Sequence, residues 1–366
     1  MSSGTTAGGP AGQPKKGRGA RSNSAGRYEQ EAREVFDDGW ESAAEPLPGA
    51  ARTQVGIDRA RKVIARNDSP DIGFDRSINP YRGCEHGCVY CFARPSHAYL
   101  GLSPGLDFET RLFAKPDAAL ALRGELANPR YRPETLVLGA NTDPYQPVER
   151  RMQITRQILE VLAEAKHPCC IVSKSDLILR DLDILEPMAA DGLVSVMISV
   201  TTLDRDLARR MEPRAAAPKK RLAAIKGLAN ASVPVGTLFA PVIPALNDAE
   251  LDAVLAAARK AGAERAGYVL LRLPLELKTL FEEWLEAHYP DRKKRVLDLL
   301  RQARGGRLYD SRFGYRQRGT GPQAEILATR FRIACRRLGL SSERDFDLDT
   351  RLFRAPALDD RQLALF

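Results

Sequence analysis

Short apolar runs alternating with stretches of helical spacing predict an α/β protein built on a parallel sheet. The runs are Phe74–Asn79, Thr135–Gly139, Cys169–Ser173, Leu193–Val200, Val233–Ala240 and Gly267–Leu273. Apolar residues recur at helical intervals near 116–127, 151–165, 177–190, 217–231, 248–262 and 276–288. Strands that alternate with helices need crossovers, which give parallel strands joined right-handedly. A second observation agrees: polar motifs stand just past the predicted strands, where the chemistry of such folds collects. Periodicity alone leaves a doubly wound open sheet and a barrel of six units both open.

The 366 residues suffice for one large domain with appendages. Residues 1–50 are rich in Gly, Ala, Ser and Pro and read as a disordered basic arm, with Phe36 and Trp40 as docking points. Residues 51–290 read as the main domain, 291–340 as a basic C-terminal region and 341–366 as a tail. No run of about twenty apolar residues exists, so no membrane span is expected. No apolar leader follows the N-terminus, and the cytoplasm is the expected location.

Six cysteines are present, three in one loop, Cys169 and Cys170 adjacent, and Cys335 apart. This clustering fits a reducing compartment and one cysteine-ligated site better than disulfides. Cys169, Cys170 and Cys335 read as small buried hydrophobes.

The net charge of +9 is uneven. Lys15, Lys16, Arg18, Arg21 and Arg27 occur before any acid, and residues 292–337 are rich in arginine. Such patches suggest a polyanionic partner, DNA or RNA first. The plainer reading is a solvated basic surface.

The organising stretch is Asn79–Cys91, with Cys84, Cys88 and Cys91 spaced C-x3-C-x2-C. Thiolates suit iron and sulfide, or zinc. A [4Fe–4S] cluster usually takes four cysteines, so three leave one iron open to a ligand from outside the protein. Pro80, Gly83 and Gly87 make the stretch a loop able to close around a small object. Zinc needs four ligands, and His86 or His97 would supply the fourth.

C-x3-C-x-aromatic-C after a predicted strand resembles the cluster loop of the radical S-adenosylmethionine (SAM) superfamily. The wording NPYRGCxxxCxYC resembles the branch that contains spore photoproduct lyase. The resemblance covers about residues 55–290 and implies a partial (β/α)6 barrel. It also implies a [4Fe–4S] cluster on Cys84, Cys88 and Cys91, with SAM chelated at the open iron. An electron from such a cluster cleaves SAM to a 5′-deoxyadenosyl radical, which abstracts a hydrogen atom.

The resemblance also assigns the motifs past the strands. Gly139–Glu149 is similar to TDPYQPxE, and Asn141, Thr142 and Asp143 would meet the SAM amino group. A plain β-to-α turn is the alternative. Lys174 would pair with the SAM carboxylate. Ser199 would bond ribose or carboxylate, and Tyr90 would approach the adenine. Thr201-Thr202 stand beside Ser199 as a possible helix cap. Glu212 and Arg214 belong to a pattern similar to E-P-x-x-P-x-x-R, lengthened here before the second proline; they would pair together, hold SAM or bind substrate. Residues 240–248 resemble the segment along the adenine, or form a rigid loop with Asn247 capping a helix. Arg272 would face substrate. The stretch 309–319 interleaves aromatics with arginines, which can stack bases or lie across the barrel.

A radical SAM enzyme acting on nucleic acid, in DNA repair or base modification, is the first functional expectation. A flavodoxin- or ferredoxin-like donor would supply electrons. The alternatives are an iron–sulfur nucleic-acid- or clamp-binding protein without SAM chemistry, and radical SAM chemistry on a protein or small molecule. Photoproduct reversal itself is not expected, because the cysteine that returns hydrogen in spore photoproduct lyase has no counterpart at Gly139–Thr142. Cys169 and Cys170 would substitute only if they faced the cavity. Tyr81 or Tyr145 would be the candidate radical relays. Gln362–Phe366, reading Q-L-A-L-F, resembles the peptide with which bacterial repair proteins hold the DNA sliding clamp.

Overall fold

Each apolar run becomes a strand in the computed structural model, which describes residues 18–29, 52–343 and 348–357. The strands are β1 (Gln54–Ile57), β2 (Ile64–Arg66), β3 (Arg76–Ile78), β4 (Tyr81–Arg82), β5 (Arg111–Ala114), β6 (Leu136–Leu138), β7 (Cys169–Ser173), β8 (Val194–Ser199), β9 (Val235–Val242) and β10 (Arg265–Leu270). Strands β3, β6, β7, β8, β9 and β10 lie side by side in chain order, each parallel to the next. Strand β2 pairs antiparallel at one edge.

This order decides between the two architectures. A doubly wound sheet reverses its strand order at a switch point; here the order never reverses. Successive right-handed crossovers then place the helices that connect these strands on one face. The buried side chains separate accordingly. Val137, Cys170 and Met197 form a small cluster with Phe74, Ala140, Val172 and Leu238, distinct from the large core shared with the helices. The fold is a partial (β/α)6 barrel with its strand ends gathered at one mouth.

The helices keep the expected order, with local punctuation. The helix expected over 151–165 is interrupted at Gln153, whose φ of 52° is left-handed. The Glu149 carboxylate accepts from Thr155 N–H at 3.1 Å and so serves the new helix start. Asp204 caps the helix Arg205–Met211, in place of Thr201 or Thr202.

Three regions differ from the sequence reading. Strands β1, β5 and β4 form a second sheet, from which the cysteine loop springs. Their short runs carry too little periodicity to announce themselves. Part of the arm expected to be disordered, residues 18–29, packs on that loop, with Ala20 only 1% exposed. The basic region covers the outer edge of β10: Leu270 N–H donates to Gln317 O at 2.8 Å and Ala266 N–H to Ser341 O at 2.8 Å. Covering an edge satisfies backbone groups that would otherwise template association. Phe36, Trp40 and Gln362–Phe366 lie outside the described residues. Among the described residues no helix is long and apolar enough to cross a membrane.

Part of the expected tail, residues 348–357, packs at the barrel's other end. Phe353 lies 5.5 Å from the ring of His167 and 5.6 Å from that of Tyr131. His167 is fully buried; its Nδ1–H donates to Pro168 O at 3.0 Å, and its Nε2 accepts from Tyr131 Oη at 2.8 Å. Burial, outweighing the Pro168 carbonyl, holds the imidazole down to about 4. The unfolded chain would protonate it near its ordinary value, so its contribution is intact above about pH 6.5 and is lost as pH falls toward 4. Urea unfolding between pH 7 and 4 should show a loss of about 3 kcal/mol from this residue, and His167→Gln should flatten that part of the curve.

Candidate active site at the barrel mouth

The cysteine loop follows β4 and makes few bonds to itself. Gly87 N–H reaches Cys84 O at 3.4 Å, and Cys91 N–H reaches Cys88 O at 3.2 Å. Its remaining bonds go to distant parts of the chain. Cys84 N–H donates to Phe108 O at 2.9 Å and Val89 N–H to Met211 O at 3.0 Å. Gly87 has φ 66°, and a Cβ there would stand 2.7 Å from Glu109 Oε2.

Arg94, fully buried, clasps the loop from behind. Its guanidinium donates to the carbonyls of Cys88 (2.8 Å), Gly87 (3.1 Å), Pro104 (3.1 Å) and Gly105 (2.9 Å), and to Glu109 at 2.5 Å. Glu109 also accepts from Gly19 N–H at 3.0 Å and Ala20 N–H at 2.7 Å. The 18–29 segment therefore completes this clasp.

Cys84 and Cys88 are buried and Cys91 partly so. Burial pushes the Cys84 thiol up; nearby Asp143 and the other two cysteines push it further. Burial pushes Cys88 up as well, opposed by Lys174. The thiols thus stand close enough to feel each other's charge, a place suited to cationic iron. Zinc fits less well. His86 Nδ1 faces Asp143 at 3.3 Å, and His97 Nε2 donates to Arg111 O at 2.9 Å. Among the described residues no three His, Cys, Asp or Glu side chains converge on one ion. A [4Fe–4S] cluster asks for something else, because each cysteine binds its own iron.

The 142–149 motif proves to be largely scaffold. Thr142 Oγ1 donates to Tyr81 O at 2.7 Å. Gln146 accepts from Glu85 N–H at 2.8 Å and donates to Gly83 O at 3.2 Å. Glu149 accepts from the Tyr81 phenol and pairs with Arg180 at 3.0 Å. Asp143, expected to meet the SAM ammonium, takes Ser173 Oγ (2.8 Å), Tyr145 N–H (2.9 Å), Lys174 N–H (2.7 Å) and His86. Four donors fill a carboxylate's lone pairs. Burial would raise the Asp143 carboxyl, but His86 and Lys174 outweigh it and hold it down to about 2.

What the mouth leaves free is narrower. The Lys174 ammonium stands 6.0 Å from the Tyr90 ring centroid and has no hydrogen bond or ion pair among the described residues. The Ser199 hydroxyl, at the end of β8, and the exposed Asn141 side chain are likewise uncommitted there. Asn141 donates its N–H to Asn79 Oδ1 at 3.0 Å, joining the ends of β3 and β6.

Tyr90 is tied into a buried network. Its phenol donates to Glu212, which also accepts from Thr201 Oγ1 at 2.7 Å and pairs with Arg221. Arg221 further donates to Ser199 O at 3.1 Å. Glu212 and Arg214 do not pair; Arg214 meets Glu85 at 3.0 Å. The lengthening of their pattern lies in the loop before Pro218, which starts a helix carrying Arg221 back to Glu212. Asn247 does not cap its helix; it donates to Thr201 O at 2.8 Å and Pro241 O at 2.9 Å. Arg272 lies over Phe92, 4.8 Å from its centroid.

Cys170 faces the barrel interior but is fully covered, and Cys169 lies in the helix-side core. Tyr81 and Tyr145 are also buried, their phenols on Glu149 and Asp181. Gln146, Arg94 and Glu109 were missed by sequence reasoning. Only the Q of TDPYQPxE carried a signal, and its contacts are about sixty residues away.

The model of the radical SAM superfamily matches residues 78–258. An uncharacterised protein of Mycobacterium tuberculosis is 38% identical over 233 residues, covering 63% of this chain and 68% of that one. An uncharacterised protein of Methanocaldococcus jannaschii is 25% identical over 233 residues, covering 64% and 83%. The solved structure of spore photoproduct lyase complexed with dinucleoside spore photoproduct has TM-score 0.56 and 18% identity, covering 78% of this chain and 80% of that one. A double mutant of the same lyase, with bound AdoMet and dinucleoside spore photoproduct, has TM-score 0.56, 17% identity and the same coverage. At these identities the likeness to the lyase shows the fold.

The scaffold role of Gln146 has a measurable consequence. Gln146→Leu leaves Glu85 N–H and Gly83 O buried without partners, at a cost of about 1–3 kcal/mol. Thermal unfolding should show that loss, and iron bound per chain after anaerobic reconstitution should fall below wild type.

Proposed function

The chain belongs to the radical SAM superfamily, and from that premise we propose that its mouth residues hold SAM against a cluster on Cys84, Cys88 and Cys91 for a reaction on nucleic acid. Enzymes of this superfamily use a [4Fe–4S] cluster and SAM and need an electron donor. A cluster held by Cys84, Cys88 and Cys91 would supply one electron, received from a donor, for the reductive cleavage of SAM. The chain's own residues orient the cofactor and shelter it.

One observation carries the assignment of the mouth: the Lys174 ammonium, 6.0 Å from the Tyr90 ring centroid and outside any hydrogen bond or ion pair among the described residues. A half-buried ammonium that makes no hydrogen bond or ion pair among the described residues is matched by the SAM carboxylate. Asn141 offers an acceptor for the SAM amino group, and the Thr142 hydroxyl oxygen, while donating to Tyr81 O, keeps a lone pair for it. Ser199 offers a hydroxyl to ribose or carboxylate, and Tyr90, fixed by Glu212, flanks the adenine. Asp143 acts one step removed, by fixing the Lys174 backbone and His86.

The nucleic-acid reading, in DNA repair or base modification, rests on the arginine-rich residues 292–337 and on the fold shared with a lyase solved with a dinucleoside photoproduct. The domain division at 51–290, 291–340 and 341–366, a cytoplasmic setting and a flavodoxin- or ferredoxin-like donor belong to the same proposal. So does the clamp-like peptide Gln362–Phe366, for which deletion of those residues should abolish binding to the sliding clamp.

Anaerobic reconstitution followed by dithionite and SAM should yield 5′-deoxyadenosine. Cys88→Ala should lose the cluster's absorbance. Lys174→Met should keep that absorbance and weaken SAM binding about ten- to hundred-fold, the range for a charged hydrogen bond. A wild type that assembles the cluster and makes no 5′-deoxyadenosine would sink the assignment.

A further inference from the structure

Large aromatic side chains are rarely left in water without reason when they cluster. Phe92, Phe313 and Tyr315 are 41%, 50% and 45% exposed, and each carries a guanidinium 4.8 Å from its centroid, from Arg272, Arg316 and Arg312 respectively. Phe92 directly follows Cys91, and Arg272 stands two residues beyond β10. Phe92 therefore lies on the rim of the mouth, and the segment bearing Phe313 and Tyr315 meets the end of β10 there, with Leu270 N–H donating to Gln317 O at 2.8 Å.

The segment that bears two of them is held in place. Buried Arg304 donates to the carbonyls of Leu270 (3.3 Å), Leu271 (2.6 Å) and Arg316 (3.1 Å). Arg316 pairs with buried Asp71 at 2.6 Å, and Arg312 with Asp310 at 2.7 Å. Arg307 and Arg318 form no ion pair among the described residues. The rim thus offers fixed rings beside two guanidiniums without a carboxylate partner among the described residues, Arg307 and, 4.4 Å from the Tyr268 ring centroid, Arg318.

That combination selects its partner. Cations alone would serve an acidic peptide; exposed rings beside them serve planar bases joined by phosphates. In a duplex the base faces are already stacked, so these rings are usable only by unpaired nucleotides. Chemistry on a nucleotide at the mouth also requires it out of the stack. Resting on the nucleic-acid reading above, we propose that Phe92, Phe313 and Tyr315, with Arg272, Arg307 and Arg318, form a stacking platform for single-stranded or locally unpaired nucleic acid, leading an unstacked base to the cluster loop.

Fluorescence anisotropy of the full chain, with a labelled oligothymidylate and a labelled duplex of equal length over a salt series, tests this. The single strand should bind about ten-fold tighter. Phe313→Ala and Tyr315→Ala, at exposed positions, should each weaken it about ten-fold, and Arg318→Gln should lower the salt slope by about one. Equal affinity for strand and duplex, or wild-type affinity in all three variants, overturns the platform and leaves the nucleic-acid reading standing. A wild type that binds neither overturns both.

Discussion

Three thiols confined to one short loop impose the constraint on which the rest of this structure depends. Residues 83–91 belong to no helix or strand, so the loop draws no rigidity from one. It is held instead from outside: by Gln146 at Gly83 and Glu85, by Phe108 at Cys84, by Met211 at Val89, and by Arg94 at Gly87 and Cys88. A buried ion pair such as Arg94–Glu109 recovers its desolvation cost only when its remaining donors and acceptors are met. Here all five guanidinium N–H groups and both carboxylate oxygens are engaged.

The same logic explains why the mouth is so polar. Asp143 joins the ends of β6 and β7 to His86 of the cysteine loop, and Glu212 joins Tyr90 of that loop to β8 and to Arg221. Both carboxylates are nearly enclosed, and both are satisfied by protein donors. Residues that look like ligands on paper therefore act mainly as braces. The groups left over, Lys174, Ser199 and Asn141, are fewer, and their freedom is what makes them candidates to touch a cofactor.

The peripheral segments extend this scaffold. Residues 18–29 cap the clasp on the loop's outer side, and the basic segment closes the edge of β10. Neither segment is a detached appendage. An edge strand and a ligand loop both expose backbone groups that need partners, and these two segments supply them.

The alternation of strand and helix, the thiolate loop and its superfamily were legible in the sequence because each is written in contiguous residues with a fixed period or spacing. Strand Cys169–Ser173 appears with the bounds its apolar run predicts, and Cys84, Cys88 and Cys91 announce themselves by spacing alone. Only the tertiary structure decided which polar residues brace and which stay free, that the strands follow one another without reversal, and that Cys170 faces the barrel interior. Those outcomes rest on pairs far apart in the chain, such as Tyr90 with Glu212 across 122 residues and Arg18 with the Glu109 carbonyl across 91. A carboxylate's donors are chosen by packing, and local pattern carries no record of them.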